Sequence, residues 1–215
     1  MKMNRTDHIT VLTHSCIKVQ CEAGTVYFDP FHIPGDPHDA DAILITHDHF
    51  DHFSPEDIEK IAKADTLVVV PEGMKTKAEK ELPRECLIRT VKPGAEYQIG
   101  KLEFETVPAY NRLKPFHPKS GGWVGYLLRT GEGIVYVAGD TDATVEASQV
   151  RCDIALVPVG GTYTMNAKQA AELINRIQPA VAIPTHYGSV VGSKDDAEVF
   201  AENVAPSISV EIKMP

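Results

Sequence analysis

Three histidines and two aspartates lie close together in the segment THDHFDH, residues 46–52. His47, His49 and Asp51 are two positions apart, so their side chains share one face if the segment is extended. With His52, they offer imidazole and carboxylate ligands that suit Zn²⁺ or another first-row cation. A polar loop rich in histidine is the alternative. Few structural requirements other than metal binding explain clustered imidazoles, so the pattern favours a metal site.

Three apolar runs are each followed by a residue that can bind a metal. AILI precedes THDHFDH, IVYVA precedes GDTD with Asp140, and VAIP precedes THYG with His186. Ligands at the ends of several buried strands can meet at one edge of a sheet, on a rigid support. Aspartates after strands also form turns, so Asp140 alone would be ambiguous. The three runs together predict one convergent site.

The elements that must position these residues are strands first, then strands alternating with helices. The run AILIT at residues 42–46 is typical of a strand buried on both faces. SPEDIEKIAKA predicts a helix capped by Ser54, with Pro55 at its first position. Further helices are expected in EGMKTKAEKEL and over residues 166–177 and 193–201, with a terminal strand in ISVEI. Two sheets packed face to face, with helices outside, would bury all the apolar runs.

The length of 215 residues, with 43% apolar and 24% charged residues, fits one α/β domain over residues 1–215. No apolar stretch approaches the roughly 20 residues that span a bilayer. MKMNRTDHIT lacks an apolar signal core, so the cytoplasm is the expected location. The four cysteines form no CxxC pair and are expected to be reduced thiols. The sequence leaves open whether the chain forms a homo-oligomer.

The net charge of −9 gives no long-range attraction to nucleic acid, so no nucleic-acid partner is expected. A bound cation can still invert the local field, so a phosphate-containing substrate is not excluded. The expected partner is therefore a small-molecule substrate.

HxHxDH, followed by GDT and then by a strand ending in histidine, resembles the metallo-β-lactamase superfamily over nearly the whole chain. The segments THSCIKV, YFDPF, VPAYN, GGWVGY, AGDTD and IPTHYG narrow the resemblance. They are similar to simple single-domain metal-dependent hydrolases, a branch near ascorbate-phosphate lactonases and phospholipase D-type enzymes acting on N-acyl phosphatidylethanolamine. The resemblance implies a four-layer αββα sandwich of the α/β (α+β) class, with its site at one edge.

The resemblance also implies a set of metal ligands. His47 and His49 would hold one ion, Asp51, His52 and His186 a second, and Asp140 would bridge the two. Zn²⁺, as one or two ions, is the implied cofactor, and Mn²⁺ and Fe²⁺ tolerate the same ligands.

One departure from the family concerns the first metal, which usually has a third histidine. Phospholipase-like relatives place it where this chain has Asn111, and His117 stands six residues further on. Either His117 substitutes or the first site lacks a ligand. The absence of a cysteine ligand separates the chain from the main zinc β-lactamases. His49 stands where the di-iron oxygen-reducing branch has glutamate, and the basic modules of RNA-processing members are missing.

Two further residues match positions near the site in relatives: His14 in THS and Asp29 in FDP. Each is expected to orient a ligand or meet substrate, although a core or surface role for His14 stays open. Asp51, Asp140 and His14 are the expected catalytic residues. His14 and His117 are the candidate acids for the leaving group.

These ligands predict a hydrolase, because a bound cation lowers the pKa of its water to about 7 and so supplies hydroxide. The expected substrates are small esters, lactones or phosphodiesters. A metal-binding protein with little catalysis, such as a sensor or scaffold, is the alternative. A nuclease is disfavoured by the net charge of −9.

Overall fold

A computed structural model describes residues 6–215 of the chain. The first five residues, on which part of the expectation about a secretion signal rests, lie outside this range. The strands are β1 Ile9–Thr13, β2 Cys16–Cys21, β3 Gly24–Phe28, β4 Ala42–Leu44, β5 Leu67–Pro71, β6 Leu87–Val91, β7 Glu96–Ile99, β8 Leu102–Pro108, β9 Val124–Thr130, β10 Gly133–Val137, β11 Ile154–Pro158, β12 Val181–Thr185 and β13 Ser209–Val210. The helices are α1 Pro55–Ile61, α2 Lys75–Glu81, α3 Ala167–Ile177 and α4 Asp195–Asn203, with 3₁₀ turns at Glu72–Met74, Lys119–Gly121 and Ala147–Gln149.

The strands form two mixed sheets. The first has the order β1-β2-β3-β4-β5-β6, in which β3 to β6 run parallel to one another and β1 to β3 are joined by antiparallel pairs. The second has the order β13-β12-β11-β10-β9-β8-β7, and β10 to β13 are parallel. The parallel strands β4, β11 and β12 are buried along their whole length, as their continuous apolar sequences predict.

Three apolar clusters define four layers. One cluster joins α1 and α2 to the outer face of the first sheet, and includes Ile58 and Val68. A second lies between the two sheets, and includes Phe28 and Leu156. The third joins α3 and α4 to the second sheet, and includes Ile174 and Phe200. This order of layers confirms the predicted αββα sandwich.

The first helix begins as the sequence predicts. The Ser54 side chain accepts a hydrogen bond from Asp57 N, and Pro55 occupies the first turn. The helix predicted from residue 166 is closed at its start by a capping box between Asn166 and Gln169. The four cysteines are free thiols, as expected. Within residues 6–215, no helix is both long and apolar enough to cross a membrane.

Several predicted boundaries were wrong. The strand predicted to reach residue 46 ends at Leu44, because Thr46 N donates to the Asp29 carboxylate instead of a neighbouring strand. The first three residues of EGMKTKAEKEL form a 3₁₀ turn before α2, and α4 begins at Asp195 instead of residue 193. The terminal strand keeps only two residues, since β13 pairs with β12 at two positions alone.

Candidate metal centre

The loops that follow β4, β10 and β12 meet at one edge of the sandwich. They bring together the six predicted ligands, which are His47, His49, Asp51, His52, Asp140 and His186. Five of these are buried, and His49 is half-buried. The convergence predicted from the three apolar runs is therefore present in the structure.

One group of imidazoles, called here the first cluster, consists of His47, His49 and His117. Their ligand nitrogens all lie within 4.8 Å of one another. His47 Nε2 and His49 Nδ1 are 3.2 Å apart. Two nitrogens bound to one tetrahedral Zn²⁺ would be about 3.3 Å apart, given Zn–N bonds of about 2.0–2.1 Å. The third imidazole in this cluster is thus that of His117, six residues beyond Asn111.

A second cluster consists of His14, Asp51, His52 and His186, all buried. Asp51 Oδ2 lies 3.2 Å from His14 Nε2 and 3.6 Å from both His52 Nε2 and His186 Nε2. The expectation that Asp51 shares a face with His47 and His49 was wrong. The chain turns at this point, since the N–H groups of His52 and Phe53 both donate to His49 O, and an extended segment cannot form those bonds.

Asp140 lies between the two clusters. Its Oδ2 is 3.9 Å from His47 Nε2 and 3.2 Å from His117 Nε2 on one side. On the other side, Oδ2 is 3.2 Å from His186 Nε2, and Oδ1 is 3.3 Å from His52 Nε2. A single carboxylate therefore reaches ligand atoms of both clusters.

Three of the imidazoles are fixed through Nδ1, so that Nε2 points into the site. His52 Nδ1 donates to Asp29 Oδ2 over 2.7 Å. The Thr46 hydroxyl donates to the same carboxylate, so its oxygen accepts from His47 Nδ1 over 2.9 Å. Such partners select the tautomer whose Nε2 has a free lone pair, which is the form that binds a metal.

Asn111 gives His117 the same support. Its Oδ1 accepts from both the backbone N and the Nδ1 of His117, at 3.1 and 3.0 Å. Its Nδ2 donates to Tyr163 O over 2.9 Å and faces Asp142 Oδ1 at 3.2 Å. The residue that replaces the family's usual ligand therefore positions the histidine six residues further on.

We expect Asn111→Ala to weaken binding of the metal at the first cluster about 10- to 100-fold, the usual effect of removing a partner of a ligand histidine. The His117 ring would lose its hydrogen-bond acceptor and with it its fixed orientation. Titration of the metal-free protein with Zn²⁺ measures the two affinities. Binding in the variant that equals wild type at both sites would contradict this positioning role.

The charge balance favours the metal-binding form of Asp140 and of His47, whereas at His52 and His186 the nearby Asp140 outweighs burial and raises the pKa of both imidazoles. Burial opposes ionisation of Asp140, but His186 and His52 outweigh it and hold the pKa of this carboxyl well below its usual range. Burial lowers the pKa of His47 well below its usual value, and the nearby His52 lowers it further. A carboxylate and a neutral imidazole are the forms that bind a cation.

Several buried nitrogen and oxygen atoms of the site have no hydrogen-bond partner within the described part of the chain. Among residues 6–215, buried side-chain atoms that make no hydrogen bond include the Nε2 atoms of His52, His117 and His186 and Asp140 Oδ1. Each such orphaned group costs about 1–3 kcal/mol unless another partner satisfies it. Two clusters of nitrogen and oxygen ligands at these spacings fit one or two first-row cations.

Strained backbone holds part of this arrangement. His14, Asp29 and His186 have φ values of 48°, 44° and 58°, which side chains other than glycine rarely adopt. His186 N donates to His14 O over 2.9 Å, which joins the ends of two of these segments. Gly139 has a φ of 63° and lies directly before Asp140. It lets this segment pass close to Thr46, because a Cβ at Gly139 would lie 2.9 Å from Thr46 Cβ.

The sequence did not identify two residues that contact the site. The Thr46 hydroxyl links His47 to Asp29. Trp123 is half-buried, and its ring centroid lies 5.1–5.5 Å from those of the three first-cluster histidines. The sequence feature that could have indicated its place beside the site is its position directly after two glycines in GGWVGY.

Comparison with known proteins agrees with this geometry. The model of the beta-lactamase superfamily domain matches residues 8–186. The chain is 32% identical to a UPF0173 metal-dependent hydrolase of Methanopyrus kandleri, over 91% of this chain and 90% of the relative. A crystal structure from Parabacteroides distasonis superposes with a TM-score of 0.77 at 29% identity, covering 95% of this chain and 91% of that one.

A more distant likeness concerns the fold alone. The diiron β-hydroxylase CmlA of Streptomyces venezuelae superposes with a TM-score of 0.72 at 16% identity, covering 96% of this chain and 52% of that one. The family model spans all the candidate ligands described above, from His14 to His186. The chain therefore belongs to the beta-lactamase superfamily and is one of its metal-dependent hydrolases.

Proposed function

We propose that this protein cleaves a small ester, lactone or phosphodiester bond at a centre of two divalent cations. The observation that carries the proposal is the Asp140 carboxylate, which lies within 4 Å of imidazoles from both clusters. His47, His49 and His117 would hold one cation, and Asp51, His52 and His186 the other. Bound there, the cations supply Lewis acidity, which lowers the pKa of water and polarises the bond to be cleaved.

Asp51 and Asp140 both line a cavity that opens at the site. In the proposed reaction, Asp51 accepts a hydrogen bond from the attacking water and aims it at the carbonyl or phosphoryl centre. Asp140 fixes the separation of the two clusters. Both side chains are proposed metal ligands that also line the cavity. They can therefore orient a nucleophile toward a substrate bound there.

His14 acts through Asp51 in this proposal. It has no exposed surface, its Nε2 faces Asp51 Oδ2 at 3.2 Å, and it is not among the residues that line the cavity. His117 is 1% exposed and is likewise absent from the lining. We therefore assign His14 to positioning of Asp51 and His117 to metal binding, rather than to protonation of the leaving group.

Zn²⁺ is the cation we propose first, because the first cluster offers imidazoles alone and Zn²⁺ binds three histidines readily. Mn²⁺ and Fe²⁺ accept the same ligands. One structural neighbour, CmlA, is a diiron β-hydroxylase. Metal identity is therefore a direct object of the experiment that follows.

We expect protein purified without chelator or histidine tag to contain about two metal ions per chain by elemental analysis, one for each cluster of ligands. It should hydrolyse p-nitrophenyl acetate, a lactone or bis(p-nitrophenyl) phosphate, lose the activity on chelation and regain it with Zn²⁺. Asp51→Ala should reduce turnover about a hundredfold or more, since a removed orienting group typically costs that much.

Asp48→Ala is the matched control. Asp48 lies in the same motif, but its side chain is 41% exposed, faces Lys77 at 4.0 Å and belongs to neither cluster. This variant should keep both metal content and turnover. Tight metal binding without turnover of any substrate would contradict the hydrolase and favour a metal-binding protein. Absence of metal after reconstitution with Zn²⁺ or Mn²⁺ would contradict the centre itself.

A further inference from the structure

An apolar wall surrounds the opening above the metal ligands. A cavity of about 280 Å³ is lined by His49, Asp51 and Asp140 on its floor, and by Phe50, Phe116, Tyr163 and Val190 around its sides. These four side residues are called here the apolar wall. The volume is close to the lower end of small-molecule sites, which span about 300–1,000 Å³.

The apolar wall concentrates exposed apolar surface at one place. Eight large apolar side chains among residues 6–215 are exposed, and four of them form this wall. Their exposed fractions are 66% for Phe50, 41% for Phe116, 37% for Tyr163 and 38% for Val190. They come from four separate loops, after β4, β8, β11 and β12. Exposed apolar surface gathered from separate loops around a polar floor is typical of a ligand site.

Contacts hold the wall in place. The rings of Phe116 and Tyr163 meet edge to face, with centroids 4.8 Å apart and an interplanar angle of 87°. Phe50 packs edge-on against Phe31 at 6.0 Å. Tyr163 O also accepts from Asn111 Nδ2, the residue that positions His117. Phe116 and Tyr163 are therefore tied to the residue that positions His117, so this part of the wall needs little ordering when a ligand binds.

The wall carries no charged side chain. The cavity lining includes no lysine or arginine, and its acidic groups are the two carboxylates on the floor. Two lysines near Phe116 have other partners: Lys114 Nζ lies 3.1 Å from Asp142 Oδ1, and Lys119 Nζ lies 2.7 Å from Glu146 Oε1. A charged substituent directed at this wall would lose hydration without gaining an ion pair, which is costly.

We propose that the apolar wall binds an uncharged aromatic or short branched aliphatic group, attached next to the bond that is hydrolysed. The substrate is thus a small apolar ester or lactone rather than a sugar phosphate or a dicarboxylate. This inference rests on the proposed function for the reaction, but it concerns binding alone. It can therefore be tested without turnover.

The test uses three hydroxamates that share one metal-chelating group: acetohydroxamate, benzohydroxamate and 4-carboxybenzohydroxamate. Their affinities for the Zn²⁺-loaded protein are measured by calorimetry, at concentrations that leave the metal content unchanged. Benzohydroxamate should bind about tenfold or more tightly than acetohydroxamate, since its phenyl ring removes apolar surface from water against the wall. The added carboxylate should remove most of that gain.

Variants assign the preference to the wall. Phe116→Ala and Phe50→Ala should each reduce the advantage of benzohydroxamate and leave acetohydroxamate binding unchanged. Leu113→Ala is the control, because Leu113 lies on the same loop as Phe116, is 97% exposed and does not line the cavity. Thermal unfolding of each variant verifies that it is folded. Since Phe50 and Phe116 come from different loops, one misfolded variant leaves the other as the test.

Four outcomes would overturn the proposal: equal affinity for the first two compounds, tighter binding of the carboxylated one, a phenyl advantage that survives both alanine variants, or no binding of any hydroxamate at millimolar concentration. Failure of the proposed function looks different. A protein that prefers benzohydroxamate but hydrolyses nothing would contradict hydrolysis alone. A protein that hydrolyses esters without the phenyl preference would contradict the apolar wall alone.

Discussion

Replacement of Asp140 by alanine should release metal from both clusters and reduce kcat/KM by about a thousandfold or more, because a metal site of this kind contributes several kcal/mol to the transition state. Asp140 Oδ2 lies 3.2 Å from both His117 Nε2 and His186 Nε2, and Oδ1 lies 3.3 Å from His52 Nε2. In the proposed two-cation centre, removal of this carboxylate would take a ligand from each cation. It would also remove the negative charge that offsets their mutual repulsion.

The measurement is metal content per chain, with Zn²⁺ affinity from calorimetry and hydrolysis in parallel. Asp140→Asn keeps the shape of the side chain and removes its charge, so it separates loss of packing from loss of a ligand. Asp48→Ala again serves as the control from the exposed side of the motif. An Asp140→Ala protein that kept two metal ions would show that this residue does not bridge the clusters. Far-ultraviolet circular dichroism verifies the fold of each variant.

The sequence could predict most of this site because its ligand types follow buried strands. His47, Asp140 and His186 come shortly after β4, β10 and β12, and each of those strands is an apolar run that is visible without a structure. The layers were predictable for the same reason, since long apolar runs require cover on both faces. Strand ends were harder to predict, because they depend on tertiary hydrogen bonds such as the one that Thr46 N donates to the Asp29 carboxylate.

The division of the ligands between clusters was not predictable from spacing. Alternation in an extended segment groups Asp51 with His47 and His49, but the turn that follows His49 O directs Asp51 to the second cluster. A turn of this kind depends on tertiary contacts as much as on the residues within it. The same limit applies to His117, whose loop has no periodic pattern and is held by Asn111.

The apolar wall shows the limit most clearly. Its residues are separated by tens of positions and lie on four loops, so each looks like an isolated exposed apolar residue in the sequence. Their meeting depends on where two packed sheets place their loops. If the wall binds substrate as proposed, substrate choice depends on loops, the part of the chain where sequence patterns are weakest.

Asp29 connects the fold to the site, and its loss should affect both. The side chain is 1% exposed. Its carboxylate accepts from Thr46 N at 2.8 Å, from the Thr46 hydroxyl at 2.6 Å and from His52 Nδ1 at 2.7 Å. We expect Asp29→Ala to lower the free energy of unfolding by about 3–5 kcal/mol, because three buried donors lose their acceptor.

The same substitution should also weaken metal binding through the tautomer of His47. At present the Thr46 hydroxyl donates to Asp29 and therefore accepts from His47 Nδ1. Without Asp29, that hydroxyl is free to donate to His47 Nδ1, and the ring proton then moves to Nε2, the atom that faces the first cluster. A protonated Nε2 cannot bind a cation, so the affinity of the first cluster should fall although Asp29 belongs to neither cluster.

Urea unfolding of metal-free protein measures the first effect, and Zn²⁺ titration measures the second. Asp29→Asn separates them, because the amide oxygen can still accept from Thr46 N while the amide nitrogen cannot accept from His52. This variant should regain much of the stability lost in Asp29→Ala and little of the metal affinity. If Asp29→Asn binds Zn²⁺ as tightly as wild type, the carboxylate acts on folding alone and does not set the tautomers of the ligands.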